Sequence, residues 1–253
     1  MKPMNIKGNE IGKGMPKICV PIVATNNAEI LDQAKVITSS QADLVEWRVD
    51  WYENCFDIEK IKDILAQLRE ALPEYPIIFT FRTKAEGGER EIDFETYAEV
   101  LKAVANTKKV DIIDIEVFKE GDIKTLIKEV QNKGVRVIGS NHDFARTPEK
   151  EEIVKRLYFM RELGVDIPKI AVMPQSEEDV ESLLEATQEA EQSLDCPIVT
   201  MSMGTLGVVS RLEGEKYGST VTFGTIGKAS APGQIPVDEL KSMLEKKHCE
   251  EKQ

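Results

Sequence analysis

Residues 135–142 read VRVIGSNH, and residues 169–173, directly after Pro168, read KIAVM. Both are short apolar runs of the kind that forms a strand buried on both faces of a parallel sheet. The first run ends in His142 and the second begins with Lys169. If the two strands are neighbours, an imidazole and an amine face each other in a sheltered site. That pair suits amine chemistry on a carbonyl, with the imidazole moving protons.

Runs of this kind recur along the whole chain. They cover residues 17–24, 43–49, 76–82, 110–117, 135–141, 169–173, 197–203 and 220–225. Amphipathic segments with helical spacing separate them, for example 58–72 and 177–194. Caps are expected at Thr147-Pro148-Glu149 and at Ser176, where helices would begin. Eight strand–helix units in 253 residues predict an α/β protein with the (β/α)8 TIM barrel fold.

An open, doubly wound sheet is the structural alternative. No GxGxxG follows the first run, which leads instead into Thr25-Asn26-Asn27, so this alternative lacks support. Residues 1–16 precede the first strand and are a candidate for an N-terminal hairpin that closes the barrel bottom. The sequence shows no linker and no low-complexity tract. We therefore expect residues 1–253 to form one barrel domain, with 1–16 as its extension.

Composition limits the classes of function. Hydrophobic residues make up 41% of the chain and charged residues 31%, as in ordinary globular proteins. The net charge of −12 argues against general affinity for nucleic acid or for anionic membranes. The polar residues 1–15 do not resemble a signal peptide, and the apolar runs are too short to span a bilayer. Four scattered cysteines without a CxxC favour reduced thiols in a cytoplasmic protein and no zinc site.

Charged side chains occur at the ends of the predicted strands, where barrel enzymes have their active sites. The second run ends in EWRVD, and alternation puts Glu46, Arg48 and Asp50 on one face. Buried charges are costly unless they are paired, so we expect a compensated cluster facing the barrel interior. A purely structural salt bridge at the barrel rim is the alternative.

Two further runs end in charged residues. Arg82 ends the third run, and Glu86 follows it before the glycines at 87–88, which allow a close turn over the site. Asp114 and Glu116 alternate at the end of the fourth run. Each could be a solvated loop charge by itself. Their recurrence on successive strands favours a functional cluster.

His142 and Lys169 complete this cluster. Imidazole titrates near neutrality, so His142 could remove and return a proton within one turnover. A lysine at a strand entrance is commonly a solvated end. If Lys169 points inward, desolvation and the nearby Arg48 or Arg82 would favour its neutral form, which can attack a ketone to give a Schiff base.

The last third of the chain suggests an anion site. Arg211 is expected at the start of a helix near the barrel mouth, where it can bind a carboxylate in a bidentate manner. A loop of small residues, 228–234, follows the eighth run and carries Ser230 and Gln234. It is predicted to be a lid over a small polar ligand, with an ordinary connecting loop as the alternative.

Together these motifs resemble the type I 3-dehydroquinate dehydratases, the Schiff-base-forming hydro-lyases of the shikimate pathway. The matching stretches are EWRVD at 46–50, TFR at 80–82, SNHDF at 140–144, PKIAVMP at 168–174, MSM at 201–203, SRL at 210–212 and SAPGQ at 230–234. The likeness extends from about residue 17 to residue 240. The order and spacing of the motifs, more than any single one, make it specific.

The resemblance implies the reaction: 3-dehydroquinate would give 3-dehydroshikimate plus water. Lys169 would form the imine with the ring ketone, His142 would act as general acid/base, and Glu86 would orient His142. The other matching residues would bind substrate: Arg211, Ser230 and Gln234 the carboxylate, Glu46, Arg48 and Arg82 the ring hydroxyls, and Met203 the ring by packing. The family uses neither metal nor organic cofactor and is usually a homodimer, so we expect no cofactor and no partner beyond substrate and a second copy.

Two other functions stay open from the residues alone. A class I aldolase would also use a barrel lysine as a Schiff base, often on a phosphorylated substrate. No glycine-rich phosphate site is evident after the seventh and eighth runs, and Arg211 with Gln234 suits a carboxylate better. A catalytically silent barrel that binds a metabolite would be expected to lose Lys169 or His142, and both are present.

Overall fold

Parallel strands alternate with helices in the computed structural model, which describes residues 2–227 and 229–251. The strands are β1 (Met4–Ile6), β2 (Asn9–Ile11), β3 (Lys17–Ile22), β4 (Leu44–Arg48), β5 (Ile77–Thr80), β6 (Ile112–Glu116), β7 (Arg136–Asp143), β8 (Ile167–Val172), β9 (Val199–Ser202), β10 (Val221–Thr225) and β11 (Ile235–Pro236). The α-helices are α1 (Asn27–Thr38), α2 (Ile58–Ala71), α3 (Phe94–Thr107), α4 (Ile123–Gln131), α5 (Lys150–Leu163), α6 (Glu177–Ser193), α7 (Val208–Leu212), α8 (Gly214–Tyr217) and α9 (Val237–Glu251).

The strands β3 to β10 form a closed parallel barrel. Each of β3 to β8 pairs with the next strand in the sequence, and β10 pairs with β3. The ring closes between β9 and β10 through a bridge of Ile198 with Ser219 and a bond from the amide of Thr220 to the carbonyl of Ile198 (2.9 Å). The predicted (β/α)8 barrel is therefore confirmed. The short β11, which the sequence did not predict, pairs in parallel with the end of β10.

An apolar layer fills the lower end of the barrel. Each barrel strand contributes one buried residue to it near its N-terminal end: Cys19, Leu44, Ile78, Ile112, Ile138, Ile167, Val199 and Val221. The antiparallel hairpin of β1 and β2 adds Ile6 and Ile11 to this cluster, so the predicted N-terminal hairpin is present at the barrel bottom. Lys7 and Gly8 both have positive φ, as the mirror-image hairpin turns require.

The opposite faces of the strands pack against the helices. Trp47, for example, contacts the rings of Tyr52 and Phe79 in a second core between the barrel and its helical layer. This in-and-out alternation places Glu46 and Arg48 in the interior. None of the helices in the described residues has the length and apolarity needed to cross a membrane.

Caps were predicted for the starts of α5 and α6, and only α6 has a side-chain cap. The Ser176 hydroxyl accepts a bond from the amide of Asp179 and caps α6, as predicted. The cap predicted at Thr147-Pro148-Glu149 is right in position, since Glu149 is the cap residue of α5, which begins at Lys150, but the Glu149 side chain makes no capping bond. Proline disfavours helical geometry in the residue before it, which excludes Thr147 from the first turn.

Candidate active site

A cavity lies at the C-terminal ends of the barrel strands, the end at which this fold carries its active sites. All of the predicted site residues except Arg211 line it: Glu46, Arg48, Arg82, Glu86, His142, Lys169, Met203, Ser230 and Gln234. Further lining residues that the sequence did not single out are Gly87, Phe144, Ala171, Met201, Phe223 and Ala231.

Lys169 is the third residue of β8 and is 4% exposed, so the prediction that it lies at a strand entrance is wrong. Its Nζ is 3.3 Å from Oδ2 of Asp114 and 3.9 Å from Oε1 of Glu46. The ring of Phe223 is 4.7 Å from the same atom. The charged groups within 4 Å of this amine are therefore carboxylates, whereas Arg48 or Arg82 had been expected beside it.

His142 lies on the neighbouring strand, where Ser140 is in register with Lys169 and His142 with Ala171. Its Nδ1 is 2.9 Å from Oε2 of Glu86, which also accepts the backbone amide of His142 (3.0 Å). Burial, followed by the charges of Arg82, Lys169 and Arg48, holds the pKa of His142 well below its usual value. The imidazole is therefore neutral near pH 7 and available as a base.

Glu86 is the last residue of a 3-10 turn, and Gly87 follows it with φ of 84°. A Cβ at Gly87 would lie 2.3 Å from the ring of Phe144, so this turn requires glycine, in line with the expected close turn. Burial raises the pKa of Glu86 to about 8, although the charge of Arg82 acts in the opposite direction.

Arg82 connects the two acidic residues of β6 with Ser140 of β7. Its Nη1 bonds to Oε1 of Glu116 (2.9 Å) and to Oγ of Ser140 (3.0 Å), and its Nη2 lies 2.9 Å from Oδ1 of Asp114. These pairs offset the cost of burying the guanidinium. The alternating acids of β6 are visible in the sequence, but the sequence assigns no role to Asp114. Only the barrel register reveals that it reaches Lys169.

Arg48 forms a buried, bidentate ion pair with Asp50 through Nε (2.8 Å) and Nη2 (2.7 Å). Asp50 also accepts the backbone amides of Arg82 and Glu89. The pair of Arg48 with Asp50 therefore has a structural role, as the alternative of a salt bridge at the rim predicted. Arg48 nevertheless lines the cavity.

Arg211 is the fourth of the five residues of α7, so the predicted position at a helix start is wrong. It is 1% exposed, its Nη2 donates to the carbonyl of Pro232 (3.0 Å), and its Nε has no partner. Burial lowers the pKa of Arg211 to about 10. A buried guanidinium with an unpartnered Nε is suited to an incoming anion.

The predicted lid loop lies against this arginine, except for Lys228, which falls outside the described residues. The side chains of Ser230 and Gln234 are 2.9 Å apart, and Gln234 also accepts the amide of Ser230. The carbonyl of Pro232 accepts the amide of Gly204 (3.2 Å). Ser230 and Gln234 are therefore held at the cavity, on the side where Arg211 lies.

Comparison with known proteins gives a consistent assignment. A model of the family described as "Type I 3-dehydroquinase" matches residues 18–251. The 3-dehydroquinate dehydratase of Clostridium botulinum is 52% identical over 247 residues, covering 97% of each chain. That of Bacillus velezensis is 48% identical over 246 residues, covering 96% of this chain and 97% of its own.

Solved structures show the same likeness. The type I 3-dehydroquinate dehydratase of Clostridium difficile, solved with covalently modified comenic acid, has a TM-score of 0.95 at 48% identity and covers 99% of this chain and 100% of its own. The 3-dehydroquinate dehydratase of Enterococcus faecalis has a TM-score of 0.91 at 41% identity, covering 96% and 99%. The chain belongs to the type I 3-dehydroquinase family.

Proposed function

We propose that this chain is a 3-dehydroquinate dehydratase, a hydro-lyase that converts 3-dehydroquinate to 3-dehydroshikimate and water through a Schiff base on Lys169. The relatives that match over nearly their full length carry this name. The main support for the mechanism is that the buried amine of Lys169 and the neutral imidazole of His142 lie on adjacent strands. The covalently modified ligand of the Clostridium difficile relative adds support.

The first step joins the substrate to Lys169. The ring ketone and the ammonium group of Lys169 give an iminium and one molecule of water, because the ketone oxygen leaves with two of the three ammonium protons. The positive nitrogen then withdraws electrons from the neighbouring carbon, and this makes its proton acidic.

His142 carries out the proton transfers that follow. The imidazole removes the proton next to the iminium carbon, and the electron pair moves onto nitrogen to give an enamine. The enamine expels the ring hydroxyl, which leaves as water with a proton returned by His142. Glu86, at 2.9 Å from Nδ1, fixes the ring so that Nε2 serves as the reactive nitrogen. Hydrolysis of the product iminium then releases the amine.

The other predicted residues bind the substrate. Arg211, Ser230 and Gln234 hold its carboxylate, and the unpartnered Nε of Arg211 supports this role. The ring hydroxyls are bound by Glu46, Arg48 and Arg82. Both of these arginines are already paired with carboxylates, so they suit neutral hydroxyls better than a second anion. Met203 packs against the ring.

We also propose an assembly and a location for the chain. The chain acts as a single barrel domain, 1–253 with the extension 1–16, and forms a homodimer in the cytoplasm. The homodimer is what the family resemblance implies, and the four scattered cysteines without a CxxC favour the cytoplasm. Neither nucleic acid nor a membrane is a partner, a view that the net charge of −12 supports. Size-exclusion chromatography with light scattering tests the dimer: a particle of one chain mass would contradict it.

Replacing Lys169 tests the function. Lys169→Ala should lower kcat for 3-dehydroquinate by roughly a million-fold, since no amine remains to form the iminium. The formation of the conjugated enone, followed by ultraviolet absorbance, measures this rate. Lys35→Ala, on the exposed face of α1, is the control and should leave kcat unchanged. A wild-type protein without turnover, or a Lys169→Ala variant that keeps it, would contradict the proposal.

A further inference from the structure

Asp114 lies behind the reactive amine. It belongs to β6, is 1% exposed, and is not among the side chains that line the cavity. Its Oδ2 accepts a hydrogen bond from Nζ of Lys169 at 3.3 Å. A ligand in the cavity therefore meets Lys169, while Asp114 is shielded from it.

The other oxygen of Asp114 is fixed by two different strands. Oδ1 accepts a hydrogen bond of 2.6 Å from Oγ of Ser140 on β7 and lies 2.9 Å from Nη2 of Arg82, which follows β5. Burial by itself raises the pKa of Asp114, but Arg82 and Lys169 together hold it below the usual value. The group is therefore a carboxylate with one oxygen anchored and the other directed at the amine.

Glu46 is the second acid near Lys169 and differs in each of these respects. Its Oε1 is 3.9 Å from Nζ and accepts a bond from the hydroxyl of Thr80 (2.8 Å). Glu46 also lines the cavity, where a ligand can reach it. Glu46 is therefore open to a ligand in the cavity, whereas Asp114 contacts Lys169 from outside the cavity lining.

We propose that Asp114 is a positioning residue for the Schiff base, holding the Lys169 amine before the reaction and the iminium N–H after it. This inference rests on the proposed function. When the ammonium condenses with the ketone, two of its protons leave with the oxygen as water, and one stays on nitrogen. Oδ2 of Asp114 accepts that remaining proton's hydrogen bond and balances its charge. Without this carboxylate the iminium loses its proton more readily, and a neutral imine withdraws electrons less strongly.

Asp114→Asn tests the proposal, because asparagine keeps the size of the side chain and removes its charge. We expect kcat to fall about 100-fold, the scale of losing one buried electrostatic partner, while KM changes less than about 3-fold. The rate at which borohydride traps the substrate on Lys169 should fall in parallel with kcat. A folded variant whose kcat and trapping rate stay within about 3-fold of wild type would overturn the proposal.

Asp111→Asn is the matched control. Asp111 immediately precedes β6, pairs with Arg69 (2.6 Å) and accepts the amide of Ile77 (2.8 Å), at the end of the strand remote from the cavity. It should lower the melting temperature and leave kcat unchanged. A purely structural role for Asp114 would give the same pattern in both variants.

Ser140→Ala tests the role of Asp114 if the Asp114→Asn variant does not fold. It keeps the carboxylate and removes the 2.6 Å bond that orients it. We expect kcat to fall roughly 10-fold at nearly constant KM, and an unchanged kcat would overturn the proposal. The wild-type protein separates the two hypotheses: no turnover and no trapped adduct would refute the proposed function itself, whereas normal wild-type chemistry with active variants would refute only the role of Asp114.

Discussion

At the residue scale, burial acts on Glu86 and His142 in a common way: it disfavours the charged form of each. The pKa of Glu86 rises to about 8, and that of His142 falls well below its usual value, burial being the largest cause in both cases. Both shifts lower the number of charges in the barrel mouth. They leave a neutral imidazole at the cavity, which is the form that can remove a proton.

These shifts predict how stability depends on pH. The ordinary pKa of a Glu side chain is 4.5, so folded Glu86 keeps a proton that the unfolded chain releases, and the free energy of unfolding falls as the pH rises towards 8. His142 acts in the opposite sense below its ordinary value of 6.5, because only the unfolded chain takes up that proton. Between pH 6.5 and 8, only Glu86 of these two residues makes the free energy of unfolding depend on pH.

The Glu86→Gln variant isolates this effect. Relative to the variant, the wild type should lose about 1.4 kcal/mol of unfolding free energy per pH unit in that window, or ~2 kcal/mol in total. Urea unfolding at several pH values measures the difference. Glu59→Gln, at an exposed position of α2, is the control and should follow the wild type. Identical slopes for wild type and Glu86→Gln would mean that Glu86 is not shifted.

At the element scale, the order of strands and helices could be predicted from the sequence. The positions of Lys169 within β8 and of Arg211 within α7 could not. All eight apolar runs overlap barrel strands, since burial on both faces leaves a strong signal. Lys169 was misplaced because Pro168 looks like a strand boundary, yet Pro168 lies inside β8 and pairs with Gly139. Arg211 was misplaced because α7 has five residues, too few for a helical pattern.

In the loop after β10, Gly233 lies very close to the backbone of Gly204. Gly233 has φ of 77°, and a Cβ there would lie 2.3 Å from the carbonyl oxygen of Gly204. Gly233→Ala should therefore move the loop away from Arg211 and lower kcat/KM roughly 10-fold, mainly through KM. Gly227→Ala is the matched control, with a similar φ of 78° and nothing within 4 Å. Equal, small effects of both substitutions on KM would contradict this role for the docked loop.

At the scale of the whole molecule, the two ends of the barrel have different tasks. Apolar residues and the N-terminal hairpin fill the lower end, and the charged residues lie at the C-terminal ends of the strands. The division is general for this fold, in which one end provides stability and the other the chemistry. The candidate residues could be predicted from the sequence because the barrel places strand ends together. Their pairings, such as Asp114 with Lys169, depend on the register and could not.

Ile11→Ala tests this division. Ile11 is fully buried in the lower layer, so its truncation should lower the free energy of unfolding by about 2–5 kcal/mol. The value of kcat should be unchanged, because the cavity at the other end is untouched. Val36→Ala, at a position 51% exposed, is the control for loss of an apolar side chain and should cost less than about 0.5 kcal/mol. A drop in kcat matching the loss of stability would contradict the separation.

The proposed mechanism depends on a covalent intermediate on Lys169, and this intermediate can be trapped by reduction. The protein is mixed with 3-dehydroquinate, reduced with borohydride, and measured by intact-protein mass spectrometry and peptide mapping. We expect one adduct per chain, located on Lys169 and absent from Lys169→Ala. A folded wild-type protein that turns over the substrate without a trapped adduct, or with the adduct on another lysine, would contradict the mechanism.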